Sequence, residues 1–393
     1  MGAVSCGTPG SDAPPKPAHP VFDAEQSMQL LKAREVTRQS GLARFTSTLV
    51  VGSAGGDAVE TTRGEQDFGR GTAYAERTLS VPEDFPDGVA RQLEEPGKET
   101  FAVVAREVLV RDGAAWLRFR PTGVGPLSDA TRSLRRLAGE TAPYGGTLAE
   151  VIASARPQGR PSAREDGGRD YRASVPGGVA TAVLGKLGRM TGDWNSEAGK
   201  GRNGMFPMEV RLDARGRVTR ATMDLTPLLR YMRDLDGVRT IRATYELSGY
   251  GARATRTLPD PSTVEDATKT LTLIGEVAPG DCALFAPGLA SAAMVRTVSC
   301  ARKHDLRVFG QALVGIQGSR AVDEGAARED AVVSCREQFR EAPEEWLREA
   351  VPAGRYRVTG GSRFTGHIGA SGKSHSRLRG QFTCYVRTSE PAS

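Results

Sequence analysis

At 393 residues the chain is too long for one small core and fits two domains of ordinary size plus a tail. Its net charge of +6 is modest and comes mainly from arginine, so charge gives no argument for a nucleic-acid partner. No run of about 18 apolar residues occurs, which excludes a membrane-spanning helix within this sequence.

In chain order the first signal is Cys6, the sole cysteine before Cys282. Ala3-Val4-Ser5-Cys6 places small residues before it, as at a bacterial lipoprotein processing site, and makes Cys6 a candidate lipidation site. No basic or apolar leader precedes it, so this reading expects the true start to lie upstream of Met1. Residues 1–22, with Pro14, Pro15, Pro17 and Pro20, read as a lipobox remnant and a surface tether.

From Ala24 an amphipathic helix is expected, with Met28, Leu30, Leu31 and Val36 at helical spacing, ending near Gly41. Ala43 to Val51 then alternates, placing Phe45, Leu49 and Val51 on one face of a strand. The same period of two predicts strands over Gly71–Val81, Thr100–Arg111 and Ala114–Phe119, with a turn at Asp112-Gly113 between the last two. Helices are expected at Ser128–Arg136, Thr147–Ala155 and Val179–Met190, and Pro157–Gly168 reads as a loop. Phe206–Leu212, a reversal at Asp213-Ala214-Arg215-Gly216, Val218–Leu225 and Val238–Gly249 complete a series of hairpins. The fold class is α+β: a curved antiparallel half-barrel sheet closed by helices, followed by a small disulfide-bonded α+β domain.

The element order, Asp170-Tyr171-Arg172-Ala173-Ser174-Val175, and the hairpin Pro207-Met208-Glu209-Val210-Arg211-Leu212-Asp213-Ala214-Arg215-Gly216-Arg217-Val218 together resemble LolA-like lipoproteins, in particular the LprG/LppX-type family of cell-envelope lipoproteins. The resemblance covers 23–262 and implies an incomplete barrel whose apolar hollow holds acyl chains of a lipid or acylated ligand. The inward apolar residues then become candidate ligand contacts: Phe45, Leu49, Val51 and Leu79; Val104, Val108 and Leu117; Met208, Val210, Met223 and Tyr245. The alternation itself is equally satisfied by a solid core under the helices. Trp194 to Gly204, polar and glycine-rich, has no counterpart in that family and reads as a loop near the cavity mouth.

Residues 263–279, from the break at Pro259-Asp260-Pro261, form a helical linker to the last segment, 280–389. There Gly280-Asp281-Cys282, Cys300-Ala301-Arg302-Lys303-His304-Asp305, Cys335 and Cys384 resemble the septum-formation family of extracytoplasmic domains, with Lys303 and Arg307 departing from its usual pattern. Four cysteines without C-x-x-C spacing suggest two disulfides and an oxidising compartment rather than a metal site. Of the three connectivities, Cys282 with Cys300 and Cys335 with Cys384 is favoured because it keeps each pair local. His304 is read as a structural or partner-contacting histidine rather than a catalytic base, since a cysteine locked in a disulfide is no nucleophile. No cofactor motif is found: the run 369–374 lacks the leading glycine of a phosphate loop.

From Arg355 to Arg387 no acidic residue occurs among seven basic ones, a run suited to solvent or to an anionic envelope surface. The reading that follows is a non-catalytic protein anchored by lipid at the extracytoplasmic face of the membrane. It carries a lipid or acylated ligand, and its second domain docks an envelope partner or the wall. The alternative is an adaptor or sensor acting through protein contacts without lipid cargo.

Overall fold

The computed structural model describes residues 19–93, 98–104, 107–119, 147–184, 204–231, 235–286, 294–318, 324–368 and 374–388. Cys6, the helix expected at 128–136 and almost all of the loop at 194–204 lie outside them. The chain begins with a short turn, α1 (Pro20–Asp23), and the amphipathic helix α2 (Gln26–Arg38). Leu30, Ala33 and Thr37 on one side of α2 are buried, and Gly41 at φ +77° lets the chain leave the helix for the first strand.

The first sheet is built from β1 (Leu42–Ser53), β2 (Gly56–Asp67), β3 (Thr72–Ser80), β4 (Lys98–Val104), β5 (Glu107–Asp112), β6 (Ala115–Phe119), β7 (Arg156–Pro157), β8 (Ser162–Ala163), β9 (Arg169–Pro176), β10 (Met205–Leu212), β11 (Val218–Asp224), β12 (Val238–Ser248) and β13 (Val264–Asp266). These thirteen strands form one curved sheet that does not close, ordered β13-β6-β5-β4-β3-β2-β1-β12-β11-β10-β9-β7 with β8 beside β9. Among the described residues every pairing in it is antiparallel except that of β13 with β6. Helices α3 (Asp87–Leu93), α4 (Thr147–Ser154) and α5 (Gly177–Ala180) join α2 in supplying buried side chains to the main core: Leu30, Val89, Leu148, Val151, Ile152 and Ala180.

Two turns follow the sequence closely. Asp213 accepts hydrogen bonds from the backbone N–H of Arg215 and Arg217, both at 2.9 Å, and Gly216 takes φ +71° to bring β10 back as β11. Gly113 at φ +60° serves the β5–β6 hairpin. The segment Thr100–Arg111 is not one strand, however. Val103 pairs with Val108 and Val104 with Glu107, so the chain folds back between β4 and β5. The strand β2 carries no apolar alternation, because its inward positions are Ala58, Glu60, Thr62 and Gly64. Gly64 is required by packing: a Cβ there would lie 2.1 Å from the Tyr74 carbonyl oxygen and 2.9 Å from the Phe45 ring.

The stretch expected as a helical linker instead joins the two sheets. After β13 come a single turn, α6 (Ala267–Thr270), and β14 (Thr272–Leu273), which pairs with a strand of the second sheet. That sheet holds β14, β15 (Cys282–Phe285), β16 (Met294–Val298), β17 (Leu306–Gly318), β18 (Arg357–Ile368) and β19 (Ser374–Arg387), in the order β14-β16-β15-β17-β19-β18. Helix α7 (Glu324–Glu341) covers one face, burying Ala327, Ala331 and Cys335 against Phe309, Ala312 and Phe382; a last turn, α8 (Glu344–Leu347), follows. Disulfides join Cys282 to Cys300 and Cys335 to Cys384, the latter tying α7 to β19 across a Cα separation of 5.5 Å.

Candidate ligand-binding face

Register decides which residues share a face. Phe45 lies between Leu247 and Gly64, and Gly64 faces Ala75, so these residues belong to the inner face that meets the helices. Phe45, Val51, Met208, Val210, Met223 and Tyr245 are each no more than 4 % exposed in one cluster, and Leu49 and Leu79 pack against it half-buried. Val108 and Leu117 share the inner face but belong to a second cluster, with Phe101, Ala267, Leu271 and Met294, under the start of the second unit. Val104 lies on the outer face with Ala102, Leu109 and Trp116, because the turn between β4 and β5 reverses the parity assumed for a continuous strand. The eleven candidates therefore divide eight, two and one.

Helix α2 is bolted to this face by polar contacts. Tyr171 on β9 donates its hydroxyl hydrogen to Gln29 at 2.6 Å, and the Gln29 amide donates to the carbonyls of Phe22 and Ala24. Thr37 accepts from the Val218 N–H at 2.9 Å and donates to Ala33. By contrast α4 supplies Leu148, Val151 and Ile152, apolar side chains with little directional preference.

Between the two apolar clusters lies a charged group absent from the sequence reading. Arg77 on β3 faces Thr62 on β2 and Glu99 on β4, and its guanidinium reaches Glu99 at 3.3 Å and Glu60 at 2.5 Å. Arg77 and Glu99 side chains are each 4 % exposed. Burial pushes the Glu99 carboxyl up to about 7; Arg77 opposes the shift and Glu60 adds to it. The Oε1 atom of Glu99 is buried with no hydrogen-bond partner among the described residues. The signal available in the sequence was parity: Arg77 stands two residues from Ala75 and Leu79, on the same side of β3.

The outer face carries an open, polar groove of about 640 Å³ bordered by Arg44, Glu65, Tyr74, Glu76, Glu246 and Arg256. Glu65 there accepts from the Thr255 N–H at 2.8 Å, the Thr255 hydroxyl at 2.6 Å and the Arg256 N–H at 3.2 Å, pinning the chain after β12 across the sheet. Burial raises this carboxyl, but the hydrogen bonds outweigh it and hold Glu65 below the usual carboxylate range.

In the second unit, Cys282, His304 and Glu349 gather within 4.8 Å. The Cys282 sulfur is bonded to Cys300, so it has no thiolate to offer a metal. His304 is buried and held from both sides, Nδ1 to the Arg302 carbonyl at 2.7 Å and Nε2 to Glu349 at 3.2 Å. Those contacts suit a structural role.

No family model matches the chain, and no curated protein matches it in sequence. Among solved structures it is similar to the Mycobacterium tuberculosis lipoprotein LppX, at 11% identity over 59% of this chain and 98% of that one, with a TM-score of 0.29. The Pseudomonas aeruginosa MucA/MucB complex matches at 10% identity over 93% and 94%, TM-score 0.29. A putative outer membrane lipoprotein-sorting protein domain from Vibrio parahaemolyticus matches at 10% over 60% and 97%, TM-score 0.20. At these TM-scores the likeness identifies neither ligand nor partner.

Proposed function

We propose that the chain is a non-catalytic protein of the cell envelope, anchored at the extracytoplasmic face through Cys6, that binds a lipid or acylated ligand between the inner face of its first sheet and the helices over it. The observation that carries this reading is that face: an open, curved sheet, apolar across β1 and β10–β12, whose buried side chains share one cluster with those of a few short helices. Burying an acyl chain there contributes about 0.8 kcal/mol per methylene, so about ten methylenes supply about 8 kcal/mol, enough for micromolar affinity before opposing costs. In this reading entry falls to α4 or its neighbours rather than to α2, which the Gln29–Tyr171 and Thr37–Val218 contacts hold to the sheet. The two disulfides support an oxidising compartment. In this reading the second unit, which resembles septum-formation extracytoplasmic domains, docks an envelope partner or the wall.

Native mass spectrometry of protein purified from envelopes, together with exchange of a fluorescent lipid, tests the proposal. Bound lipid and saturable exchange are expected; absence of both contradicts it. The second reading, an adaptor without cargo, is favoured by the tight burial of Phe45, Met208, Val210 and Met223 against helix side chains, as in a solid core. It predicts the opposite result in the same two measurements.

A further inference from the structure

The two disulfides of the second unit differ in their surroundings. Cys335 and Cys384 are both fully buried in the core under α7. Cys282 on β15 is equally buried, but its partner Cys300 is half-buried in the turn between β16 and β17, where Ser299, Ala301, Arg302 and Lys303 around it are exposed. A dithiol can therefore reach the Cys300 sulfur from solvent, whereas it reaches the other pair only by opening the core.

Two further metal-ligating groups stand beside the Cys282 sulfur: His304, four residues after Cys300, and Glu349, just past α8. One donor atom from each of Cys282, His304 and Glu349 lies within 4.8 Å of the other two. The setting of His304 is that of a ligand. Its Nδ1 stands 2.7 Å from the Arg302 carbonyl oxygen, which can only accept, so Nδ1 carries the hydrogen. Nε2 is then left facing the Glu349 Oε2 atom at 3.2 Å. A neutral imidazole nitrogen and a carboxylate oxygen are both acceptors, and their approach is favourable only with a proton between them or a cation bound to both. A backbone carbonyl that holds the far ring N–H is also the support a metal-bound histidine ordinarily has. Arg307 stands behind the carboxylate, with Nη1 at 3.5 Å from the same Glu349 oxygen, its Nε donating to the Gly280 carbonyl and its guanidinium over the Trp346 ring.

We propose that Cys282, Cys300, His304 and Glu349 form a zinc site once the Cys282–Cys300 disulfide is reduced by a dithiol, so that this staple has two exchangeable forms, a covalent bond and a metal. The dithiol gives up two electrons and two protons and becomes a disulfide; the protein S–S bond breaks and each sulfur takes one proton. Zinc then displaces those two protons as the thiolates bind. Two thiolates, an imidazole and a carboxylate are the kind and number of ligands that close a tetrahedral zinc site, where donors stand about 3.3 to 3.8 Å apart. The His304–Glu349 separation of 3.2 Å is already close to that spacing, and the surface turn carrying Cys300 is where the two sulfurs move apart from their bonded distance. Two thiolates and a carboxylate leave one negative charge on a divalent cation, which Arg307 offsets. The site is separate from the inner face of the first sheet, so it stands whether or not a ligand binds there.

The test is zinc binding to the full chain carrying Cys6→Ser, which removes the one cysteine outside the two disulfides. The oxidised chain is compared with the chain reduced by a phosphine, which competes less for zinc than a dithiol does. The oxidised chain is expected to bind no zinc and the reduced chain about one ion. Cobalt in its place is expected to give the intense visible absorption of a tetrahedral thiolate site. Zinc is expected to shield Cys282 and Cys300 from iodoacetamide without changing the labelling of Cys335 or Cys384, and to raise the thermal midpoint of the reduced chain alone. His304→Gln weakens zinc binding by more than about a hundredfold, the loss that can follow removal of an outer contact alone, and Glu349→Gln weakens it too; near-ultraviolet circular dichroism of the oxidised forms checks that both variants are folded. Equal zinc binding by the oxidised chain, none by the reduced chain, binding undiminished by His304→Gln, or shielding of all four thiols alike overturns the proposal.

Discussion

Glu99 sits in a place that rewards its proton. Its carboxyl is pushed from 4.5 to about 7 in the fold, so between these values the folded state holds a proton that the unfolded state releases. Stability therefore falls as pH rises from about 4.5 to about 7 and has no further contribution from this group above that. Glu99→Gln is expected to remove this slope, measured by denaturant unfolding across the range; an unchanged slope would show that Glu99 titrates normally. Removing the cation acts differently. Arg77→Met leaves the buried Glu99 carboxyl and the half-buried Glu60 carboxylate without their cation and is expected to cost about 3 kcal/mol, read from the same unfolding curves at neutral pH. Glu65 works in the opposite sense, since its lowered carboxyl adds stability that is present above the ordinary carboxylate range and lost on acidification.

At the scale of elements, the two disulfides close loops of different length. Cys335 and Cys384 are 49 residues apart and Cys282 and Cys300 are 18 apart, which by loop entropy contribute about 4 and about 3 kcal/mol respectively. Replacing each pair with alanine and measuring thermal unfolding is expected to show the larger loss for the pair that ties α7 to β19. The elements most legible in the sequence were those with one wet and one buried side. The alternation of Phe206, Met208, Val210 and Leu212 against Glu209 and Arg211 marked β10, and Asp213 with Gly216 marked its turn. What stayed hidden had physical causes. Strand β2 lacks apolar alternation because its inward Glu60 and Thr62 lie beside Arg77 rather than in oil, and Gly64 leaves room for Phe45. The β4–β5 turn falls inside a run that is hydrophobic on both sides, since Ala102 and Leu109 are buried on one face while Phe101 and Val110 are buried on the other. Alternation gives no warning there, and the parity of Val104 was lost with it.

For the whole molecule, the junction between the two sheets decides how independent they are. Strand β13 extends the first sheet, β14 extends the second, and Ala267, Leu271 and Met294 close over Phe101, Val110 and Leu117. Arg296 pairs with Asp112 and approaches Glu265 at 3.8 Å across the same seam. Met294→Ala is expected to cost about 2–5 kcal/mol and to separate one calorimetric transition into two; a single, merely lowered transition would show that the units stay coupled without it. The same junction places Val108 and Leu117 beneath the second unit, which leaves the eight candidates around Phe45 and Met208 as the face where a ligand would lie. The most direct test of that claim is to load the protein with a lipid bearing a photoreactive group in its acyl chain, irradiate, and map the cross-linked peptides. The account predicts adducts on β1, β10 and β11, at and around Phe45, Met208 and Met223; adducts confined to the β17–β19 ribbon, or none at all, would contradict it.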